Sequence, residues 1–300
     1  FTASRSVRPA ITVPASYDAA LGGITCYSPQ VELTDAQMVT RDLDGAEAGY
    51  SAPLPRAISL NGQQFAGWHQ PELHLYEPPS LELVSPACGP VGGGTRLTLV
   101  GKQLKGGSDY KCRFGGSPPV GASNISKPFL PTASTFVTDA NYTSTPQGDT
   151  IACMTPDNAF TASEGIPRWS ISLAISLNGQ QYDGLKGDIV APGTDRHFGA
   201  HPGFGLYVEP TSTAGTHVHP ESVQHAGDVI TVFGSTLHGG CAYACRFGDS
   251  LDVLPGSFVA DRGGVKCLAP SRPSGTVEPI WVSLNGGQQF SLIGRNMTWA

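Results

Sequence analysis

Two stretches decide the reading of this chain: Gly94–Gly115 (GTRLTLVGKQLKGGSDYKCRFG) and Gly227–Gly248 (GDVITVFGSTLHGGCAYACRFG). They align without a gap at an offset of 133 residues and agree at 11 of 22 positions, CRFG included. Thr95-Arg-Leu-Thr-Leu99 and Asp228-Val-Ile-Thr-Val232 are short β-prone runs closed by glycine. Tyr110, Cys112 and Phe114 share one parity, so a strand here turns all three to one face, the expected core face. The chain is therefore read as an internal repeat of β-structure.

Further blocks extend the repeat. Cys26-Tyr-Ser-Pro29, Cys153-Met-Thr-Pro156 and Cys267-Leu-Ala-Pro270 form one set. Ser59-Leu-Asn-Gly-Gln-Gln-Phe65, Ser176-Leu-Asn-Gly-Gln-Gln-Tyr182 and Ser283-Leu-Asn-Gly-Gly-Gln-Gln-Phe290 form another. The last block predicts a hairpin, with Asn-Gly taking the positive φ angles of a tight turn. The first unit shows only the second half of the order. Phe1-Thr-Ala-Ser lines up with Phe136-Val-Thr-Asp and Phe258-Val-Ala-Asp, so the chain is expected to start just after a CRFG segment of a longer array. The expected units are residues 1–79, 80–205 and 206–300, with length differences confined to loops such as Gly116–Gln147 and Leu185–Gly203.

Composition agrees. With 38 Gly and 25 Pro in 300 residues and only 14% charged side chains, short strands between frequent turns are expected rather than helices. A net charge of −6 argues against a nucleic-acid groove, which requires clustered Lys and Arg. No apolar run reaches the ~18 residues of a membrane helix, so this segment is read as not inserting into a membrane.

Pro86-Ala-Cys-Gly-Pro90, Gly93-Gly-Thr95, Leu97-Thr-Leu99, Gly101, Cys112 and Cys153-x-x-Pro156 resemble the IPT/TIG repeat, the Ig-like domain of plexins and transcription factors. The third unit departs from the pattern, with His225-Ala-Gly227 where the second has Gly92-Gly-Gly94. The resemblance implies an all-β fold of tandem immunoglobulin-like sandwiches. It spans receptors, adhesins and accessory domains, including fibrocystin-like ciliary proteins and algal surface proteins, so it implies a cell-surface setting, a ciliary surface among them.

The repeat alignment pairs Cys112 with Cys153 and Cys245 with Cys267, and leaves Cys26 for a partner upstream. Cys88 and Cys241 occupy no shared position; they stay free, bridge to each other across units, or bond a neighbouring chain. Cys241 and Cys245 are not a pair, because four extended residues separate Cα atoms by about 13 Å and a disulfide needs at most about 7 Å. Paired cysteines point to an oxidising compartment. The Asn124-Ile-Ser, Asn141-Tyr-Thr and Asn296-Met-Thr sequons are expected to carry glycans.

Catalytic and cofactor motifs are lacking in the sequence. His217-Val-His219 puts two imidazoles on one face, with His225 or Glu221 as a third ligand, but the spacing is not diagnostic and a polar linker strand is the plainer reading. Asp195, His197 and Ser212 do not make a hydrolase without a GxSxG elbow. Gly92-Gly-Gly94 is a turn, since no GK[ST] follows. Arg113 and Arg246 are expected to pack on aromatic neighbours. Trp68 and Trp299 follow the hairpins and are expected to be exposed, where they would stack on sugars. The expected function is a non-enzymatic extracellular scaffold or adhesion segment whose partners are other protein chains or neighbouring repeats. The alternatives are a glycan-binding module and a plexin- or fibrocystin-like receptor ectodomain.

Overall fold

Leu97 and Leu99 are fully buried while Arg96 and Thr98, one residue out of phase, face solvent. The same period of two recurs at Lys111–Phe114 and Thr135–Thr143. The computed structural model describes residues 11–29, 38–39, 50–51, 54–115, 135–145, 148–160, 168–184, 204–213 and 215–300, and these contain strands and no helix.

The first unit is a set of hairpins: β1 (Ala15–Asp18) with β2 (Gly23–Cys26), β3 (Met38–Val39) with β4 (Tyr50–Ser51), and β5 (Leu54–Ile58) with β6 (Ala66–Leu73). The second comprises β7 (Ser80–Ser85), β8 (Cys88–Pro90), β9 (Arg96–Lys102), β10 (Lys111–Gly115), β11 (Thr135–Thr145), β12 (Gly148–Met154), β13 (Arg168–Ile171), β14 (Leu173–Ser176), β15 (Asp183–Gly184) and β16 (Phe204–Tyr207). The third comprises β17 (His217–His219), β18 (Ser222–Val223), β19 (Val229–Phe233), β20 (Tyr243–Phe247), β21 (Leu254–Val259), β22 (Gly264–Leu268), β23 (Val277–Ser283) and β24 (Ser291–Trp299).

The second and third units share one plan. Strand order is β15-β14-β10-β11-β12-β9-β7 in one and β17-β19-β22-β21-β20-β23-β24-β18 in the other. In each a single strand passes between layers. Thr135–Asp139 of β11 pairs with β10 and Ala140–Thr145 with β12, just as Leu254–Gly256 of β21 pairs with β20 and Ser257–Val259 with β22. The sheet thus folds over itself into a sandwich. A parallel pair closes each unit: β16 on β8, and β24 on β18. The expected unit boundary at 205/206 falls inside β16, whose Phe204 and Leu206 lie in the second core.

Each sandwich has its own core. Leu97, Leu99, Cys112, Phe114, Ile151, Leu173 and Ile175 form one; Ile230, Val232, Cys245, Phe247, Val265, Ile280 and Val282 form the other. Neither contains a described residue before Tyr76. Tyr17 and Tyr27 of the first unit are instead 71% and 91% exposed, and Cys26 is exposed and unbridged. A disulfide ties the two layers of each sandwich, Cys112 to Cys153 and Cys245 to Cys267.

These bridges close loops of 41 and 22 residues. On the chain-entropy model each stabilises its sandwich by about 3–4 kcal/mol, out of about 5–15 kcal/mol for a whole domain. Guanidinium unfolding of Cys112→Ala/Cys153→Ala is expected to lose about that amount from the second unit's transition and to leave the third unit's unchanged.

Candidate inter-repeat interface

The Ser-Leu-Asn-Gly-Gln-Gln block closes a hairpin in every unit, between β5 and β6, β14 and β15, and β23 and β24. The turn differs from the expected one. Positive φ falls on glycines only (Gly62, Gly179, and both Gly286 and Gly287, 72–91°), and none of the three asparagines joins them. The asparagine acts through its side chain instead, as in Asx-type turns. Asn61 Oδ1 accepts the Gln63 and Gln64 amides at 2.9 Å, and Asn178 Oδ1 accepts those of Gln180 and Gln181 at 3.0 and 3.1 Å. In the third unit, where one more glycine lengthens the loop, Asn285 Oδ1 accepts the Gln289 amide at 3.1 Å. Each asparagine Nδ2 also donates to the Oε1 of the last glutamine: Asn61 to Gln64, Asn178 to Gln181, Asn285 to Gln289. The outcome is a glutamine carboxamide held by its oxygen, with its nitrogen left to donate elsewhere.

In the third unit that nitrogen crosses to the second. Gln289 Nε2 donates to the Gly93 carbonyl at 2.9 Å, and Gln289 Oε1 accepts the Thr95 hydroxyl at 2.8 Å. Beside it, Gln288 Oε1 accepts the Arg96 amide at 3.1 Å. The turn they grip needs its glycines. At Gly93, φ is +87° and a Cβ would stand 2.2 Å from the Pro156 carbonyl oxygen, so no other residue fits.

A covalent bond crosses the same junction. Cys88 and Cys241, the two cysteines without a shared repeat position, are bonded to each other across 153 residues of sequence. Around them Ala87, Cys88 and Tyr207 of the second unit pack into the third unit's core. Tyr207 is 1% exposed, and burial, helped by the charge of Glu209, pushes its phenol well above the usual range.

Other singled-out residues fall elsewhere. Asn141 on β11 and Asn296 on β24 are exposed, whereas Asn124, Asp195 and His197 lie outside the described residues. Trp299 corrects the expectation of exposure. It is 3% exposed, donates Nε1 to the Pro270 carbonyl at 3.1 Å and meets Phe247 edge-on, because β24 turns it inward beside β18. Trp68 is on β6, and its side chain lies outside the described residues. Arg113 sits 4.4 Å over the Tyr182 ring, and Arg246 lies 4.8 Å from the ring of Trp281 and 4.7 Å from that of Phe290. His217 stacks on Phe233 and points Nδ1 at the Gly215 carbonyl, 3.0 Å away. Among the described residues no cluster of three His, Cys, Asp or Glu side chains comes together to hold a metal.

The sequence model of the IPT/TIG domain matches residues 79–127. Residues 79–127 are thus similar to an IPT/TIG domain. Rat (Rattus norvegicus) Plexin-A3 is 30% identical over 103 residues, which are 31% of this chain and 5% of that protein's length. The full extracellular region of Plexin A4 superposes with a TM-score of 0.42 at 16% identity, covering 85% of this chain and 18% of that one. A Bacteroides ovatus glucan-utilisation protein, SGBP-B, solved with a mixed-linkage heptasaccharide, gives 0.24 at 11% identity over 75% of this chain and 48% of that one. The FN1–FN3 domains of chicken CNTN1 give 0.22 at 12% identity over 76% and 69%.

The third unit's own turn is closed from within. Asp228 stands at the Thr95 position, and its carboxylate accepts the Gln224 and His225 amides at 3.0 Å each. Those hydrogen bonds hold its pKa below the usual range. By linkage, the stabilisation is complete above the unfolded value of about 3.9 and is lost as pH falls through the lowered folded value. An NMR titration is expected to place the Asp228 midpoint below about 3.9. Across the junction, Gln289→Ala and Thr95→Val are each expected to cost about 1 kcal/mol. In a Cys88→Ser/Cys241→Ser background this shows as faster hydrogen exchange at Gly93–Arg96.

Proposed function

We propose that this chain is a non-enzymatic extracellular spacer, a segment of a cell-surface scaffold or projection in which sandwiches stack end to end and work through protein–protein contacts. The observation that carries this reading is the junction between the second and third units. A disulfide, three side-chain hydrogen bonds and a buried tyrosine join two domains that each have their own core. Free inter-domain motion is the default for small polar contacts, and a covalent bond across the contact removes it. Stacked units that touch mainly their neighbours make long stiff spacers.

The three disulfides suit an oxidising compartment. Asn141 and Asn296 are exposed and accessible to glycosylation, which is proposed for Asn124 as well. The likeness to Plexin-A3 supports a second reading, a segment of a plexin-type receptor ectodomain; a membrane helix in a longer form of the chain would favour it. The glycan-binding alternative loses Trp299 to the core.

Spin labels at Lys102 and Leu292, in a Cys26→Ser background, test the stiffness. A single narrow distance distribution is expected, broadening in Cys88→Ser/Cys241→Ser. A broad distribution with the staple intact overturns the spacer reading.

A further inference from the structure

The two sandwiches present the same upstream end, and only one of these ends is engaged within the described residues. In the third unit, the Cys241 and Ala242 amides donate to the Leu284 carbonyl at 3.0 and 3.2 Å, and Ala242 bridges to Asn285. In the second, the Ser108 and Asp109 amides donate to Leu177 at 2.9 and 3.0 Å, and Asp109 bridges to Asn178. Behind both, a tyrosine hydroxyl accepts a glycine amide: Tyr110 from Gly107 at 2.9 Å and Tyr243 from Gly240 at 3.0 Å. Ser108 therefore occupies the place of Cys241, and Gln180 and Gln181 the places of Gln288 and Gln289. All three are exposed. The Asn178–Gln181 clamp is already formed, so the carboxamide is oriented before anything binds, which lowers the ordering cost of an interaction.

We propose that this end of the second sandwich, Ser108 with Gln180 and Gln181, docks the Gly-Gly-Thr turn of another IPT-type repeat. The grip is the one Gln288 and Gln289 place on Gly93–Arg96. The inference rests on the end-to-end reading above and names its next partner. The turn must come from a further repeat, because both described turns in this chain are committed. Gly93–Thr95 is held by the third unit, and the third unit's turn is closed by Asp228. The docking is non-covalent, since Ser108 offers no thiol. The third unit likewise offers none downstream: Ser222 follows its Pro220 by two residues, as Cys88 follows Pro86. Among the described residues the staple thus belongs to the junction of the second and third units.

The test inserts a second copy of residues 80–212, one repeat period of 133, ahead of Ser80 in the full chain, with Cys26→Ser and with Ser108→Cys in the original second unit. The added copy then presents a Gly-Gly-Thr turn and a Cys88 to the end in question. Non-reducing peptide mapping is expected to find the Ser108→Cys thiol bonded to the added copy's Cys88, forming several-fold more slowly when Gln181→Ala is included. A second measurement uses the insertion without the new thiol: the added copy's Arg96 amide is expected to be protected from exchange, and Gln180→Ala to remove that protection.

The native Cys88–Cys241 bond in the same molecule separates the outcomes. If it forms while the new bond does not, or if Gln181→Ala changes nothing, the docking end is wrong and the spacer reading stands. If it also fails to form while Cys112–Cys153 and Cys245–Cys267 are intact, both are wrong.

Discussion

Asn285 is 1% exposed, yet every polar atom of its side chain is used: Oδ1 takes the Gln289 amide and the Ser283 hydroxyl, and Nδ2 holds the Gln289 carboxamide. A buried amide left without partners costs about 1–3 kcal/mol, so the loop must adopt the one shape that satisfies it. That shape puts Gln288 and Gln289 at the rim, where Gln288 Oε1 and Gln289 Nε2 reach the neighbouring unit. The cross-domain hydrogen bonds start from this loop, and the Cys88–Cys241 bond and the buried Tyr207 lie at the same junction. The same asparagine recurs in the two other hairpins, so one local solution serves both to close a sandwich and to shape its end.

Much of this was legible in the sequence because a repeat constrains itself. Residues in equivalent places of two ungapped copies share a surrounding, which is why the parity of Cys112 and Phe114 and the Arg113 and Arg246 contacts with rings follow from short motifs. The junction was not legible in the same way. Cys88 and Cys241 belong to opposite ends of different units, and repeat alignment relates equivalent ends only. Their being left over was the signal, but it does not choose between a partner across units and a partner in another chain. Trp299 misled because a residue beyond a hairpin alternates with its neighbours, and its face is set by the partner strand β18, whose two residues carry little pattern of their own. The Asn-Gly dipeptide announced a turn correctly but not its type, since side-chain capping and paired positive φ angles draw on the same two residues.

The junction also shows how a weakly charged protein orders its domains. Surface ion pairs contribute little each, and with 14% charged residues this chain has few to spend. Carboxamides, hydroxyls and main-chain carbonyls replace them, and they are indifferent to salt in a way that ion pairs are not. A neutral interface of this kind gains direction from geometry, through the fixed carboxamide and the glycine turn that lets a carbonyl approach.

The staple that joins residues 153 apart in sequence has a temporal side. During synthesis Cys88 emerges long before its partner and must wait, unpaired, while Cys112 and Cys153 emerge; Cys241 follows only later. A chain oxidised too early offers Cys88 the wrong thiols. The second sandwich answers this by its own architecture: Cys112 and Cys153 face each other inside a core, whereas Cys88 points out of that core, toward the place where the third sandwich will close. Separate surroundings for the thiols of one domain thus keep the bridge inside the sandwich apart from the bond that unites the two.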